Sequence, residues 1–184
     1  MKYNPDIIKS NRKTVSLEIR PDGKLTVRAP QRMTYKEIEA FVNSKSEWIE
    51  KTLEKYRSIP ENSEPEYTAA ELEEFTRLAK AVIPQRVQFF ADMMGVTYNK
   101  ISIRHPKTMW GSCSSKGNLS FSCLLTQMPP EILDSVVVHE LSHRKHMNHS
   151  KEFYAEILRV MPDYYERERW LKKNGVYYSR RLPR

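Results

Sequence analysis

Two histidines and a glutamate at a fixed spacing are the residues in this sequence best suited to chemistry. They form the run His139-Glu140-Leu141-Ser142-His143. On a helix, residues four apart lie one turn apart on the same face, so both imidazoles can reach one metal ion. Glu140, one position along, can hold and deprotonate a water on that metal. The spacing therefore predicts a metal site with hydrolytic chemistry.

The alternative interpretation of this run is an amphipathic helix with two surface histidines. The three valines at 136–138 make the predicted helix apolar on several sides, which indicates burial. Burying two histidines and a glutamate without a partner costs free energy. Four of the five histidines also lie between positions 139 and 149. Both observations favour the metal site.

A catalytic zinc usually has three protein ligands and one open position. The options for the third ligand are His146, His149, Glu152 and Glu156. We expect Asn148 to end the helix and Ser150 to begin the next, which leaves His149 in a turn that can face the metal. His149 therefore ranks first, Glu152 or Glu156 second, and His146 last, because on a straight helix His146 lies about 10 Å from His139. Imidazole ligands suit Zn²⁺, so we expect one zinc ion.

A second stretch of interest is Trp110-Gly111-Ser112, in a predicted hairpin. If its strand forms a sheet edge above the metal, an extended substrate can pair with its backbone, and Gly111 permits a close approach. The alternative is a tryptophan that packs in the core. A hydrogen-bond donor for an oxyanion is also needed, and the sequence does not choose among the downstream tyrosines Tyr154, Tyr164, Tyr165, Tyr177 and Tyr178.

Capping and turn signals predict the elements that position these residues. Alternating apolar residues on both sides of Pro21-Asp22-Gly23 predict a β-hairpin. Thr34, Ser44 and Thr68 are each followed three residues later by glutamate, which predicts three capped helices. A turn at Lys116-Gly117 predicts a second hairpin with Cys113 opposite Ser120. Pro129-Pro130 is expected to open the helix that carries the two histidines.

These elements predict an α+β protein with three segments. Residues 1–60 form an N-terminal hairpin-plus-helices unit, and residues 69–184 form the domain that carries the chemistry. Residues 61–68 lie in a stretch rich in proline and acidic residues, which is typical of a linker.

Composition limits the class of protein. The chain has 184 residues, 39% of them hydrophobic, which is enough to bury a core without a disulfide scaffold. It has two cysteines and neither a long apolar run nor a signal-peptide core at its start. We therefore expect a cytoplasmic protein with reduced thiols and no membrane partner.

The net charge of +8 leaves a nucleic-acid partner open. The excess of lysine and arginine falls in both terminal segments, 1–60 and 139–184. Solvated helix faces explain such charge equally well. The tail at 177–184 mixes aromatic and basic residues, a pattern that can bind nucleic acid but is more typical of a frayed terminus.

The motifs together resemble a known family. The H-E-x-x-H run, followed by Asn148-His149-Ser150 and Phe153 and preceded by Trp110-Gly111-Ser112-Cys113, is similar to the YgjP-like zinc metallopeptidases, relatives of the SprT-like and WLM proteases. The stretches Ser10–Thr14, Pro21–Gly23 and Trp48-Ile49 also fit. The resemblance implies a zincin-like catalytic domain, with a small antiparallel sheet and the H-E-x-x-H helix, after the N-terminal unit. It also implies His139, His143 and His149 as zinc ligands and Glu140 as the catalytic residue.

The leading functional hypothesis is a zinc-dependent peptidase that acts on a peptide or protein, with Glu140 as the general base. One alternative is a metal-dependent hydrolase of nucleotide phosphoanhydrides, in which Arg144, Lys145 and Lys151 neutralise the phosphates. Another is a nucleic-acid-associated module with a structural zinc. The lack of a CxxC pair counts against that module, because structural sites are often closed by thiolates.

Overall fold

The computed structural model describes residues 3–20, 23–57, 64–106 and 108–183. The chain divides into two compact units, Met1–Ser63 and Glu64–Arg184. Of the predicted linker, residues 61–63 lie outside the described residues, and residues 64–68 belong to the second unit. Among the described helices, none combines the length and the apolar composition that crossing a bilayer requires.

The first unit contains a three-stranded mixed sheet. Its strands are β1 (Asp6–Ser10), β2 (Ser16–Ile19) and β3 (Leu25–Pro30). The central strand β3 pairs antiparallel with β2 and parallel with β1, so that Val27 lies between Leu17 and Ile7. The β2–β3 hairpin confirms the prediction, although Pro21 and Asp22 of its turn lie outside the described residues. Strand β1 was not predicted.

Two helices complete the core of this unit, α1 (Tyr35–Ser44) and α2 (Ser46–Arg57). The capping box of Thr34 and Glu37 forms as predicted. The predicted box at Ser44 is wrong. Ser44 is the last helical residue of α1, so its hydroxyl donates back to the carbonyl of Phe41 at 2.7 Å instead of capping α2. The fully buried side chains of the core include Val27, Ile38, Val42 and Ile49.

The second unit begins with the long helix α3 (Ala69–Met94). The predicted capping box of Thr68 and Glu71 starts it, and Gly95 ends it in the left-handed conformation at φ +64°. A glycine adopts this backbone conformation without steric cost. The inner face of α3 packs into the core of the unit through Ala79, Ile83, Val87, Phe90 and Met94.

A second small sheet follows, with strands β4 (Ile101–Arg104), β5 (Gly111–Cys113) and β6 (Leu119–Ser122). The predicted β5–β6 hairpin is present, but β4 pairs parallel with β6, so the sheet is mixed and not purely antiparallel. The predicted register is wrong by one residue, since Cys113 lies opposite Leu119 and not Ser120. The turn is longer than expected. Gly117 donates to the carbonyl of Ser114 at 2.8 Å, and Ser114 pairs with Asn118 beyond it.

Three helices close the unit, α4 (Pro130–Ser142), α5 (Lys151–Val160) and α6 (Tyr164–Arg180). Proline opens α4 as predicted, and Val137, Val138 and Leu141 are fully buried. The prediction that Asn148 ends this helix is wrong. The helix ends at Ser142, with His143 as its C-cap, and hydrogen-bonded turns carry the chain onward. Ser150 caps α5 as predicted by accepting from the backbone N–H of Phe153.

Arg181 lies close to the start of α3, so the expectation of a frayed tail is wrong for the described residues, which end at 183. The backbone N–H of Tyr67 donates to the carbonyl of Arg181 at 2.7 Å, and the Arg181 guanidinium lies 4.1 Å from the centre of the Tyr67 ring. Arg181 Nε also donates to the carbonyl of Pro65, and Leu182 is buried in the core. One of the basic residues considered for nucleic acid is therefore used inside the unit.

Candidate metal centre

Three histidine rings converge at the C-terminal end of α4. His139 lies on the last turn of the helix, His143 caps it, and His149 lies just before α5. One ligand nitrogen from each ring lies within 4.8 Å of those of the other two. The Nε2 atoms of His139 and His149 are 3.2 Å apart. The structure thus brings together the three predicted ligands.

The local chain path explains this convergence. The one-turn spacing places His139 and His143 on one side of α4. Because α4 ends at Ser142, the chain can turn back and bring His149 close to the other two histidines. The backbone N–H of His146 donates to the carbonyl of Ser142 at 3.0 Å, which tightens the turn. The cap at Ser150 then starts α5 beside the cluster.

A buried phenylalanine supports all three rings. The centroid of the Phe153 ring lies 5.0 Å from that of His139, 4.6 Å from His143 and 4.8 Å from His149. Phe153 is fully buried, so the rings rest on a rigid apolar support. In the sequence analysis, Phe153 appears only as part of the motif that carries the resemblance. Its position three residues after the Ser150 cap was the signal that could have placed it beside His149.

Hydrogen bonds at Nδ1 constrain the two helix histidines. His143 Nδ1–H donates to the carbonyl of His146 at 3.1 Å. Because a carbonyl can only accept, the lone pair of His143 is on Nε2. His139 Nδ1 lies 2.8 Å from the hydroxyl of Tyr164, which is 3% exposed. Sequence analysis did not distinguish Tyr164 from the other downstream tyrosines, since nothing local marks it.

Burial keeps these imidazoles neutral. Desolvation lowers the pKa of His139 to about 4, and the neighbouring His143 and His149 add to the shift. Desolvation also lowers the pKa of His143. Burial raises the pKa of the Tyr164 hydroxyl well above its usual range, so that it stays protonated. At neutral pH the rings of His139 and His143 therefore offer lone pairs and not positive charges, as metal ligation requires.

Glu140 is buried beside the cluster at 5% exposure. Desolvation raises the pKa of its carboxyl to about 8. Its side chain packs against the backbone of Gly111 in β5. A Cβ on that glycine would come within 2.5 Å of Glu140 Oε1 and 2.7 Å of its Cγ. Sequence analysis expected Gly111 to allow a close approach by a substrate. In the structure, the group that lies close to Gly111 is the side chain of Glu140.

The donor set fits a divalent metal ion. Three imidazoles suit zinc, and tetrahedral coordination with bonds of 2.0–2.1 Å would place the ligand nitrogens about 3.3 Å apart. The distance of 3.2 Å between the Nε2 atoms of His139 and His149 agrees with this geometry. Among the described residues, no other group of three or more histidine, cysteine or acidic side chains comes together in this way.

The other options for the third ligand have different roles. Glu156 accepts from Lys145 and from Arg159, each at 2.8 Å. The Ser150 side chain hydrogen-bonds to Glu152 and lowers the pKa of that exposed carboxyl. His146 contributes its carbonyl to His143. Neither glutamate nor the His146 ring belongs to the converging cluster.

The Trp110-Gly111-Ser112 stretch runs into β5, which is an edge strand of its sheet. The Trp110 ring packs against α6, where a Cβ on Gly175 would come within 2.9 Å of it. Ser112 is exposed. The backbone N–H of Ser122 donates to the carbonyl of Trp110, and that of Ser114 to Asn118. Because paired residues alternate along an antiparallel strand, Gly111 and Cys113 direct their backbone groups outward.

One known family matches the sequence of this chain. The sequence model of one family, described as YgjP-like, metallopeptidase domain, matches residues 13–75 and 58–174. These matches span most of the chain. A metallopeptidase domain therefore covers most of the sequence, and the chain belongs to the YgjP-like metallopeptidase family. The resemblance to this family is thereby confirmed, and the helices and small sheets of the structure confirm the α+β fold class.

Two crystal structures of metallopeptidase zymogens are similar to part of the chain. Abylysin of Pyrococcus abyssi is 22% identical, with a TM-score of 0.46, over 50% of this chain and 94% of that chain. Jannalysin of Methanocaldococcus jannaschii is 21% identical, with a TM-score of 0.46, over 50% of this chain and 95% of that chain. No curated protein matches the chain.

Proposed function

We propose that this protein is a zinc-dependent peptidase in which His139, His143 and His149 hold one Zn²⁺ and Glu140 is the general base. The observation that carries the proposal is the convergence of three imidazoles, two of them neutral through burial, beside a buried carboxylate. Membership of a metallopeptidase family supports a peptide or protein as the substrate. Residues 69–184 are the proposed catalytic domain.

In this proposal, the chemistry is divided between the metal and Glu140. A bound zinc supplies Lewis acidity, which polarises the scissile carbonyl and makes a water more acidic. Glu140 accepts the proton of the attacking water on a carboxylate oxygen and then delivers it to the leaving amine nitrogen. This role requires ionised Glu140, and a neighbouring dication favours the charged form, which offsets the effect of burial on its pKa.

The edge strand β5 is the proposed docking site for the substrate backbone. Its outward groups are the N–H and C=O of Gly111 and Cys113, which an extended peptide can pair with beside Glu140. Of the predicted stretch Trp110-Gly111-Ser112, Gly111 is thus the central residue for backbone pairing. The Trp110 ring anchors the start of the strand by packing on α6. The Ser112 side chain lies on the face of the strand that is opposite to Glu140.

The phosphoanhydride alternative has less support. Arg144 Nε donates to the carbonyl of Thr97 at 2.9 Å, and Lys145 pairs with Glu156. Two of the three cations that this hypothesis needs are therefore used within the protein, and the third is Lys151. An assay of the zinc-loaded protein against casein and against nucleoside triphosphates separates the two hypotheses. We expect casein cleavage, and turnover of nucleotides alone would contradict the peptidase proposal.

Replacement of Glu140 by glutamine tests the general base. We expect Glu140→Gln to keep its zinc and to lose casein hydrolysis by about 10²–10⁴-fold, because the amide cannot accept the proton of water. Glu131→Gln makes the same change on the exposed part of α4 and should leave the rate unchanged. A Glu140→Gln enzyme as fast as the wild type would show that this residue is not the base.

A further inference from the structure

Tyr164 contacts the metal centre from a part of the chain that is distant in sequence. It is the first residue of α6, 25 positions after His139, and is almost completely buried. Its hydroxyl lies 2.8 Å from His139 Nδ1. The two rings are inclined by only 22°, with centroids 6.2 Å apart. The hydroxyl oxygen is therefore close enough to Nδ1 for a hydrogen bond between the two side chains.

This contact bears on the tautomer of His139. A neutral imidazole that binds a metal through Nε2 carries its proton on Nδ1. If the Tyr164 hydroxyl instead donated to Nδ1, the proton of His139 would be on Nε2, where it blocks ligation. The useful arrangement is therefore Nδ1–H of His139 donating to the Tyr164 oxygen.

We propose that Tyr164 is a positioning residue that holds His139 in the Nδ1–H tautomer, with Nε2 directed at the metal. The inference rests on the proposed metal centre. His143 is oriented by a backbone carbonyl, which no substitution of the acceptor residue removes. His139 depends on a side chain, so a single substitution can remove its support while the three ligands stay in place.

The first test is the zinc affinity of Tyr164→Phe, measured with Zn²⁺ alone by competition with a chelator. The variant keeps the buried ring and loses the acceptor. We expect its dissociation constant for zinc to rise 10–100-fold, as for other groups that orient metal-bound histidines. Tyr165→Phe is the matched control, because it removes a neighbouring hydroxyl whose ring packs on Tyr154 and Tyr164. Its affinity should stay within about two-fold of wild type.

The second test reads the hydrogen bond directly. In the zinc-loaded wild type, we expect an imidazole N–H proton resonance assigned to His139 Nδ1, protected from exchange with solvent. In Tyr164→Phe this resonance should be lost or exchange rapidly, while the corresponding signal from His143 persists. A merely structural role for Tyr164 would leave the His139 signal unchanged.

These outcomes distinguish the inference from the function on which it rests. If wild type binds zinc and Tyr164→Phe binds it with equal affinity, the inference is wrong and the metal centre stands. If wild type binds no zinc, both are wrong. If Tyr164→Phe does not fold, the wild-type spectrum decides alone, and a zinc-loaded His139 without a protonated Nδ1 would overturn the inference.

Discussion

At the scale of single residues, Gly111 and Glu140 are the most tightly coupled pair in the site. The glycine leaves the space that the buried carboxylate occupies, and a Cβ there would lie 2.5 Å from Oε1. Since Glu140 is buried, the extra methyl group of Gly111→Ala must displace its carboxylate. Small displacements of reacting groups can cost about 10²-fold in rate. We expect Gly111→Ala to lower kcat by about that factor while zinc content stays unchanged.

Gly95→Ala is the control for this prediction. It adds a methyl group into open space at φ +64°, so its cost is backbone strain and not a clash. We expect lower thermal stability but wild-type kcat for the folded fraction. A Gly111→Ala enzyme with wild-type kcat would show that the Glu140 carboxylate tolerates displacement or is not used.

Sequence analysis located most of this site because much of it is local. The helical spacing placed His139 and His143, and the turn argument ranked His149 first among the ligand options. Phe153 and Tyr164 could not be assigned their roles from the sequence. They reach the histidines through the packing of α5 and α6 on α4, and several tyrosines lie close together in this part of the chain. Local spacing carries no information about such tertiary contacts.

At the scale of elements, Glu156 ties α5 to the turn that carries His149. Hydrogen bonds from Arg159, and then from Lys145, lower the pKa of this carboxyl to about 2, against an ordinary 4.5. The Glu156 carboxyl binds a proton more readily in the unfolded chain than in the folded one. Its interactions with Arg159 and Lys145 therefore stabilise the fold fully above about pH 4.5. That stability is lost as the pH falls toward 2. Its contribution is on the order of 1–2 kcal/mol, since both cations are partly exposed.

This contribution predicts a pH-dependent effect of Glu156→Gln in the metal-free protein. We expect its free energy of unfolding in urea to be about 1–2 kcal/mol below wild type at pH 7, with the difference shrinking toward pH 3. Glu166→Gln, an exposed change in α6, should alter stability by less than about 0.5 kcal/mol. A difference for Glu156→Gln that is the same at both pH values would contradict the ion-pair account.

The elements themselves were predictable where local chemistry decides them. The capping boxes at Thr34 and Thr68 and the proline at the start of α4 gave correct helix starts. Strand β1 was missed because its pairing with β3 is parallel and distant in sequence, and its residues show no clear alternation. The hairpin register was wrong because one extra residue in the turn shifts every pair, which the composition of the turn does not reveal.

At the scale of the whole molecule, every group of the proposed site lies in the unit Glu64–Arg184. Within this unit, Arg181 contacts Tyr67 just before α3, and Leu182 is buried in the core. The basic composition predicted either solvated faces or an anionic partner. Arg144, Lys145 and Arg181 instead have intramolecular partners, so charge alone is a weak guide to function here.

The most direct test of the account is the zinc content of the purified protein after loading and dialysis, measured by elemental analysis. We predict about one zinc per chain in wild type and in His146→Ala, whose ring is outside the cluster, and almost none in His139→Ala, His143→Ala or His149→Ala. A wild-type chain without zinc, or a His149→Ala chain that keeps a full equivalent, would contradict the proposed metal centre.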